Sequence, residues 1–204
     1  MAGKTDASPG ADGAASEDAH LSPRLETERL VLRTPTERDA ADVYENHRHR
    51  SVAEGVISVP HPCPHDHGLA WIRIVRRAMR DTDLWVWVLE DRSTGRVIGD
   101  CGIEMTRRHR RGSLGYILHP HHQGKGLMAE ALTRVLEHVF LEQPDPLWRI
   151  EADIYPGNDA SFRLAERLGF EREGLLRGYF QKEGTPRDVE RVALLREAFR
   201  LAQK

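Results

Sequence analysis

Cysteine is nearly missing: 2 thiols, Cys63 and Cys101, occur in 204 residues. They are too few for a disulfide framework and too far apart for a metal-ligand spacing, so a reducing, cytoplasmic setting is expected. Charge of one sign is missing too. The 30 Lys and Arg residues against 32 Asp and Glu leave a formal charge of −2, which gives no bulk electrostatic case for nucleic acid or an anionic membrane. Any cationic site must be local. No run approaches the roughly 20 apolar residues of a membrane span, and the amino terminus has no apolar core of a secretory signal. No Gly-Lys pair is followed by Ser or Thr in the frame of a Walker A loop, which excludes that phosphate motif.

What is present, 39% hydrophobic and 30% charged residues, suffices for one compact domain with a substantial core. Residues 1–22 are mostly Ala, Gly, Ser and Asp without periodic apolar positions. Such a composition cannot offset the entropy of ordering, so a disordered tail is expected ahead of a single domain over residues 23–204.

Residues 25–33 read as a first strand ending at Pro35, and Thr36 with Asp39 resembles a capping box for a helix to about residue 48. Three prolines interrupt residues 58–67, and an amphipathic helix follows to about residue 80 through Leu69, Ile72, Val75 and Met79. His61, Cys63, His65 and His67 in that loop are potential zinc ligands. The prolines splay them and no familiar spacing matches, so a solvated loop bordering an acceptor site is preferred and no metal is expected. Residues 84–90 and 96–105 read as strands about a turn. Residues 106–112 make a basic hairpin tip, solvated in the plainer reading and a contact for an acidic partner in the other. Residues 113–118 complete an antiparallel meander. Met128, Leu132, Leu136 and Val139 recur at helical spacing over residues 126–141, and residues 148–155 close a right-handed β-α-β crossover. A helix over 158–168 stopped by Gly169, then strands over 170–179 and 187–195, finish the chain.

The chain is organised around residues 119–132, where a strand leads through Gly124-Lys125-Gly126 into a helix. Two glycines at a helix start let backbone N–H groups approach an anion, which the helix dipole also favours, so a pyrophosphate fits there. The plainer reading is a tight turn. The run from Gly124 to Ala129 also spells the G-x-G-x-x-A of dinucleotide-binding domains, but the acidic ribose contact that such a domain needs has no clear strand-end candidate.

The second motif, Asn158-Asp159-Ala160-Ser161 leading to Ala165-Glu166-Arg167-Leu168-Gly169-Phe170, decides between these readings. Together with Gly115-Tyr116-Ile117-Leu118, the Gln123-Gly124-Lys125-Gly126 turn and Glu173-Gly174-Leu175-Leu176-Arg177, it resembles the GNAT superfamily of acetyl-CoA-dependent N-acetyltransferases, in the RimJ/RimL-like branch. The resemblance spans about residues 25–196. It implies an α/β (α+β) GNAT fold: a mixed, strongly twisted sheet of about six to seven strands, the fourth and fifth splayed to admit the thioester arm, with about four helices.

The resemblance further implies acetyl-CoA as co-substrate, its pyrophosphate held by Gln123, Gly124, Lys125, Gly126, Leu127, Met128 and Ala129. His121 stands where the family usually has Arg or Gln, so a permanent charge is missing there. The pantetheine arm is expected along the backbone of Ile117, Leu118 and His119, with an N–H near Leu118 facing the developing oxyanion. An amine attacks the thioester directly. Ala165 replaces the Tyr that other branches use to protonate the thiolate, and Ser161 matches the Ser of the RimL-like branch. Asn158 is at once a good N-cap and a cofactor contact. Glu104 is the candidate base and an attraction for a cationic acceptor, or else a solvated strand-end charge; Tyr116 either lines the acceptor channel or belongs to the core. Ser113 stands where many relatives carry Glu. His119 is a histidine able to titrate near neutrality. The expected function is acetyl transfer to a protein N-terminus or small-molecule amine. A non-catalytic acyl-CoA-binding or regulatory module is the alternative. No nucleic-acid or membrane partner is expected, and relatives of this kind commonly form homodimers.

Overall fold

A computed structural model describes residues 21–202. The first expected strand is two: β1 (Leu25–Glu26) folds back antiparallel on β2 (Leu30–Arg33). The turn between them is closed by Thr27, whose N–H donates to Leu30 O at 3.0 Å and whose hydroxyl accepts from Leu30 N–H at 3.0 Å. A threonine able to make both bonds breaks a run that its apolar pattern presents as continuous. Thr36 and Asp39 form the expected capping box ahead of α1 (Ala40–His47).

A short helix not foreseen, α2 (Arg50–Gly55), precedes the proline loop, and α3 (His67–Asp81) follows it. The meander is β3 (Leu84–Asp91), β4 (Val97–Thr106) and β5 (Arg111–Leu118). Then come α4 (Leu127–Glu137), running into a wider turn over His138–Glu142, and β6 (Arg149–Ile154). The chain ends with α5 (Asp159–Arg167), β7 (Glu171–Lys182), β8 (Thr185–Leu195) and α6 (Arg196–Ala202). The described residues thus form eight strands, ordered β1-β2-β3-β4-β5-β6-β8-β7, and six helices, against the expected six to seven and four. The surplus is the split first strand and the two short helices.

The apolar stripe of α4 does what its spacing implies: Met128, Leu132, Leu136 and Val139 are all buried, with Ile150, Ala152 and Ile154 of β6 in the same core. On the opposite sheet face, Val43 of α1 and Ile72 of α3 cover Val88 and Val97. Of the expected tail, residues 1–20 lie outside the described residues; Leu21 and Ser22 are buried, the Ser22 hydroxyl donating to Val86 O at 2.9 Å.

The fifth and sixth strands, the expected fourth and fifth, are parallel and paired only from Arg111–Arg149 to Ser113–Glu151. Beyond that β5 continues to Leu118 and β6 to Ile154 without each other. The sheet therefore opens into a V.

Helices α1 and α3 approach so closely that a Cβ on Gly68 would stand 2.0 Å from Ala40 O. Gly68→Ala should cost about 1–3 kcal/mol, since the obstacle is backbone that cannot turn aside. Urea unfolding reads this directly, and an unchanged midpoint would mean the helices are free to separate.

Candidate functional site

The V leads into a cleft of about 440 Å³, walled by α2, the end of β5, the glycine turn and the start of α5. Gly124 and Gly126 have φ of +74° and +75°. A Cβ on Gly124 would meet nothing within 4 Å and one on Gly126 only Arg29 Nη2 at 3.7 Å. Backbone conformation, not crowding, demands glycine here, and the face of the turn stays open. The first amide to find a carbonyl in the helix is Glu130, which donates to Gly126 O at 3.0 Å. Among the described residues none accepts from the amides of 124–129. Unpaired amides and the positive end of α4 converge on one open face, which suits an anion.

That turn is braced from outside. Glu130 accepts from the Thr27 hydroxyl at 2.5 Å and the Arg29 amide at 2.9 Å, and pairs with Arg29 Nε at 2.6 Å. Arg29 Nη1 in turn donates to Lys125 O at 3.0 Å. Burial raises the Glu130 carboxyl, but these donors outweigh it and hold the group below the usual carboxylate range. The first hairpin thus fixes the cradle.

Along β5 the backbone alternates. The His119 amide donates to Ile98 O at 2.9 Å, so the ladder commits Ile117 to β4 as well and turns Tyr116 and Leu118 toward the gap. This corrects the expected arm-binding backbone: Ile117 and His119 are spent on the sheet, and Leu118 and Tyr116 are presented. Leu118 O is itself held by Gln123 Nε2 at 2.9 Å, which leaves the Leu118 N–H.

Ile117, Leu118, Gln123, Gly124, Gly126, Leu127, Met128, Ala129, Asn158, Ser161 and Tyr116 line the cleft, as does the sequence-silent pair Arg163 and Arg167. The two arginines lie four apart on α5 and share its polar stripe. Lys125 faces a neighbouring groove with Arg29 and Glu130. Asn158 caps α5, its Oδ1 accepting from Ser161 N–H at 3.2 Å, and its amide lies 3.2 Å from where a Cβ on Gly55 would be. Glycine at residue 55 leaves the Asn158 amide room beside α2. The Tyr116 phenol is pushed up by burial, with a hydrogen bond to Ser161 acting the other way.

Glu104 is not brought in. Its neighbour three residues earlier, Cys101, stands opposite Tyr116, so Glu104 lies roughly 10 Å along the strand and on the other sheet face. It is exposed, at the closed end of the V. Among the described residues no carboxylate lines the cleft.

A second cleft, about 740 Å³, lies across α2, between it, Tyr155-Pro156 and the β7–β8 hairpin. Lys182 fastens the hairpin to α2 by donating to Ala53 O and Val56 O, and burial lowers its pKa. The Tyr155 hydroxyl is buried without a partner among the described residues. The loop candidates disperse: His67 bonds His47 at 3.0 Å, His65 packs on Tyr44, and His61 borders this cleft. Among the described residues no three His, Cys, Asp or Glu side chains are placed to hold a metal ion, and no helix is long and apolar enough to cross a membrane.

Residues 29–171 match the acetyltransferase (GNAT) domain family. The uncharacterized N-acetyltransferase YoaA of Bacillus subtilis is 31% identical over 182 residues, covering 86% of this chain and 98% of that protein. The ribosomal protein uS5-alanine N-acetyltransferase of Escherichia coli is 32% identical over 179 residues, covering 84% and 90%. Mycobacterium smegmatis RimJ in complex with CoA-disulfide superposes with a TM-score of 0.75 at 24% identity, over 90% of this chain and 95% of that one. The microcin C7 self-immunity acetyltransferase MccE, in complex with acetyl-CoA and AMP, has a TM-score of 0.73 at 16% identity, over 83% and 93%. The chain belongs to the GNAT family of acetyltransferases.

Proposed function

We propose that this chain transfers the acetyl group of acetyl-CoA to a primary amine of a protein N-terminus or small molecule, in the cytoplasm. The unpaired amides of 124–129 at the open end of the V carry the reading. They receive the pyrophosphate, and Arg163 and Arg167 supply from α5 the permanent charge that His121 does not. The pantetheine arm runs into the V against Tyr116 and the Leu118 N–H, which donates to the arm or to the developing oxyanion. Met128 and Leu127 give the arm an apolar floor.

The amine attacks the thioester carbon, the C–S bond breaks, and CoA thiolate leaves. Ser161, half-buried beside Tyr116, protonates the thiolate and is reprotonated by the phenol behind it, which burial keeps protonated and which regains its own proton from solvent; the proton lost by the attacking nitrogen passes to solvent water. Glu104 is too remote to act directly as the base. The acceptor enters from the second cleft, where Glu183, Arg187 and Asp188 offer polar groups. A peptide N-terminus is supported by the printed activity of the Escherichia coli relative.

Calorimetry with CoA and thiol release with a panel of peptides and amines test this; CoA binding without acceptor-dependent release would favour a non-catalytic module. Gly126→Asp should weaken CoA binding by more than about 100-fold through charge repulsion at the cradle. Gly126→Ala controls for left-handed backbone strain, about 1–2 kcal/mol; equal affinity in wild type and Gly126→Asp would remove the pyrophosphate site.

Ser161→Ala should lower kcat by about 100-fold or more while leaving the dissociation constant of CoA near its original value. Should both fall together, Ser161 serves binding or the start of α5 and not proton transfer.

A further inference from the structure

We propose that His49 and His119 are positioning residues: a directed hydrogen bond between their neutral rings ties α2, the roof of the cofactor cleft, to the turn that leads into the glycine cradle. The inference rests on the cofactor reading above.

The direction of that bond follows from the chain of contacts. His119 caps the turn Pro120–His122, its Nδ1 accepting from His121 N–H at 3.2 Å. An accepting Nδ1 carries no proton, so the neutral ring is protonated on Nε2. That Nε2 lies 3.0 Å from His49 Nε2. His119 therefore donates, His49 accepts, and the His49 proton sits on Nδ1. His49 in turn starts α2, its carbonyl accepting from the Val52 and Ala53 amides at 3.0 Å each. Ser51, Val52 and Gly55 of that helix, with Val56 just after it, wall the cleft.

The arrangement has no room for a further proton. One added to His119 at Nδ1 removes the acceptor for His121. One added to His49 at Nε2 sets two N–H groups against each other. The groups facing the pair are Glu45 from α1 and the rings of His121 and His122, with Lys125 and Asp91 beyond His122. Burial first, then the three imidazoles, lower the His119 pKa, and Glu45 opposes them. A group whose folded pKa is depressed keeps its contribution above the unfolded value, here about 6.5, and loses it as pH falls. The tie is complete at neutral pH and opens on acidification. Simple electrostatics gives the opposite sign, because protonated His121 and His122 beside an anion would tighten its binding.

The test is the dissociation constant of CoA by calorimetry across about pH 5.5 to 8 for the wild type, His49→Asn and His119→Asn. The ratio of wild-type to variant affinity cancels the ionisation of the ligand phosphate. It should fall about tenfold from pH 7.5 to pH 5.5, since asparagine can still accept or cap but takes up no proton. A merely structural role would lower affinity by the same factor at every pH. Nitrogen-15 imidazole spectra of the unliganded wild type should show the Nε2–H form of His119 and the Nδ1–H form of His49 at neutral pH. A ratio that rises or stays flat on acidification, or the opposite tautomers, overturns the tie. Absence of CoA binding at every pH would sink the cofactor assignment instead, and the tautomers would still decide the tie.

Discussion

Everything in this molecule follows from the parting of β5 and β6 after Ser113. Two parallel strands that stop pairing leave N–H and C=O groups facing a gap, a costly state unless something else satisfies them. Each strand is held on its far side only: β5 by β4 through Gly99–Leu118, β6 by β8 through Ile154–Glu190. The bidentate Arg191–Asp153 pair, 2.8 Å in both bonds, reinforces the outer ladder where the inner one has ended. The gap is thus held open by its flanks, and its exposed backbone is available to a ligand that brings amides of its own.

Most polar contacts around the cleft act on its shape. Glu130 ties the glycine turn to the first hairpin, and Lys182 ties the last hairpin to α2. Isolated surface ion pairs contribute little, but Glu130 accepts from a hydroxyl, an amide and a guanidinium together, and its carboxylate is mostly shielded. The cradle is consequently set before any ligand arrives, as electrostatic preorganisation requires. Helix α2, only six residues long, has weak claims to stability alone and depends on these ties and on His49.

Much of this was legible. Helical spacing placed α3 and α4, the Gly169 stop bounded α5, alternation placed the meander, and the glycine pair marked the turn before α4, because a left-handed φ and an apolar stripe are local requirements. The residues Thr36 and Asp39 announced their capping box for the same reason. Thr27 hid its turn inside an apolar run, and α2 carried no periodic signal. The place of Glu104 was set by register: three residues along a strand move a side chain to the far face and about 10 Å away. His119 was visible as titratable, but its partner His49 lies 70 residues earlier.

The sequence by itself therefore determined the order of the longer elements, the strand, glycine turn and helix at residues 113–137, and the family. These rest on interactions between residues close along the chain. The tertiary structure alone decided which backbone groups of β5 face the gap, that Arg163 and Arg167 join the cleft, that no carboxylate among the described residues does, and that two imidazoles meet at its rim. Those depend on strand register and helix approach, which are set by the packing of distant segments and leave no local imprint.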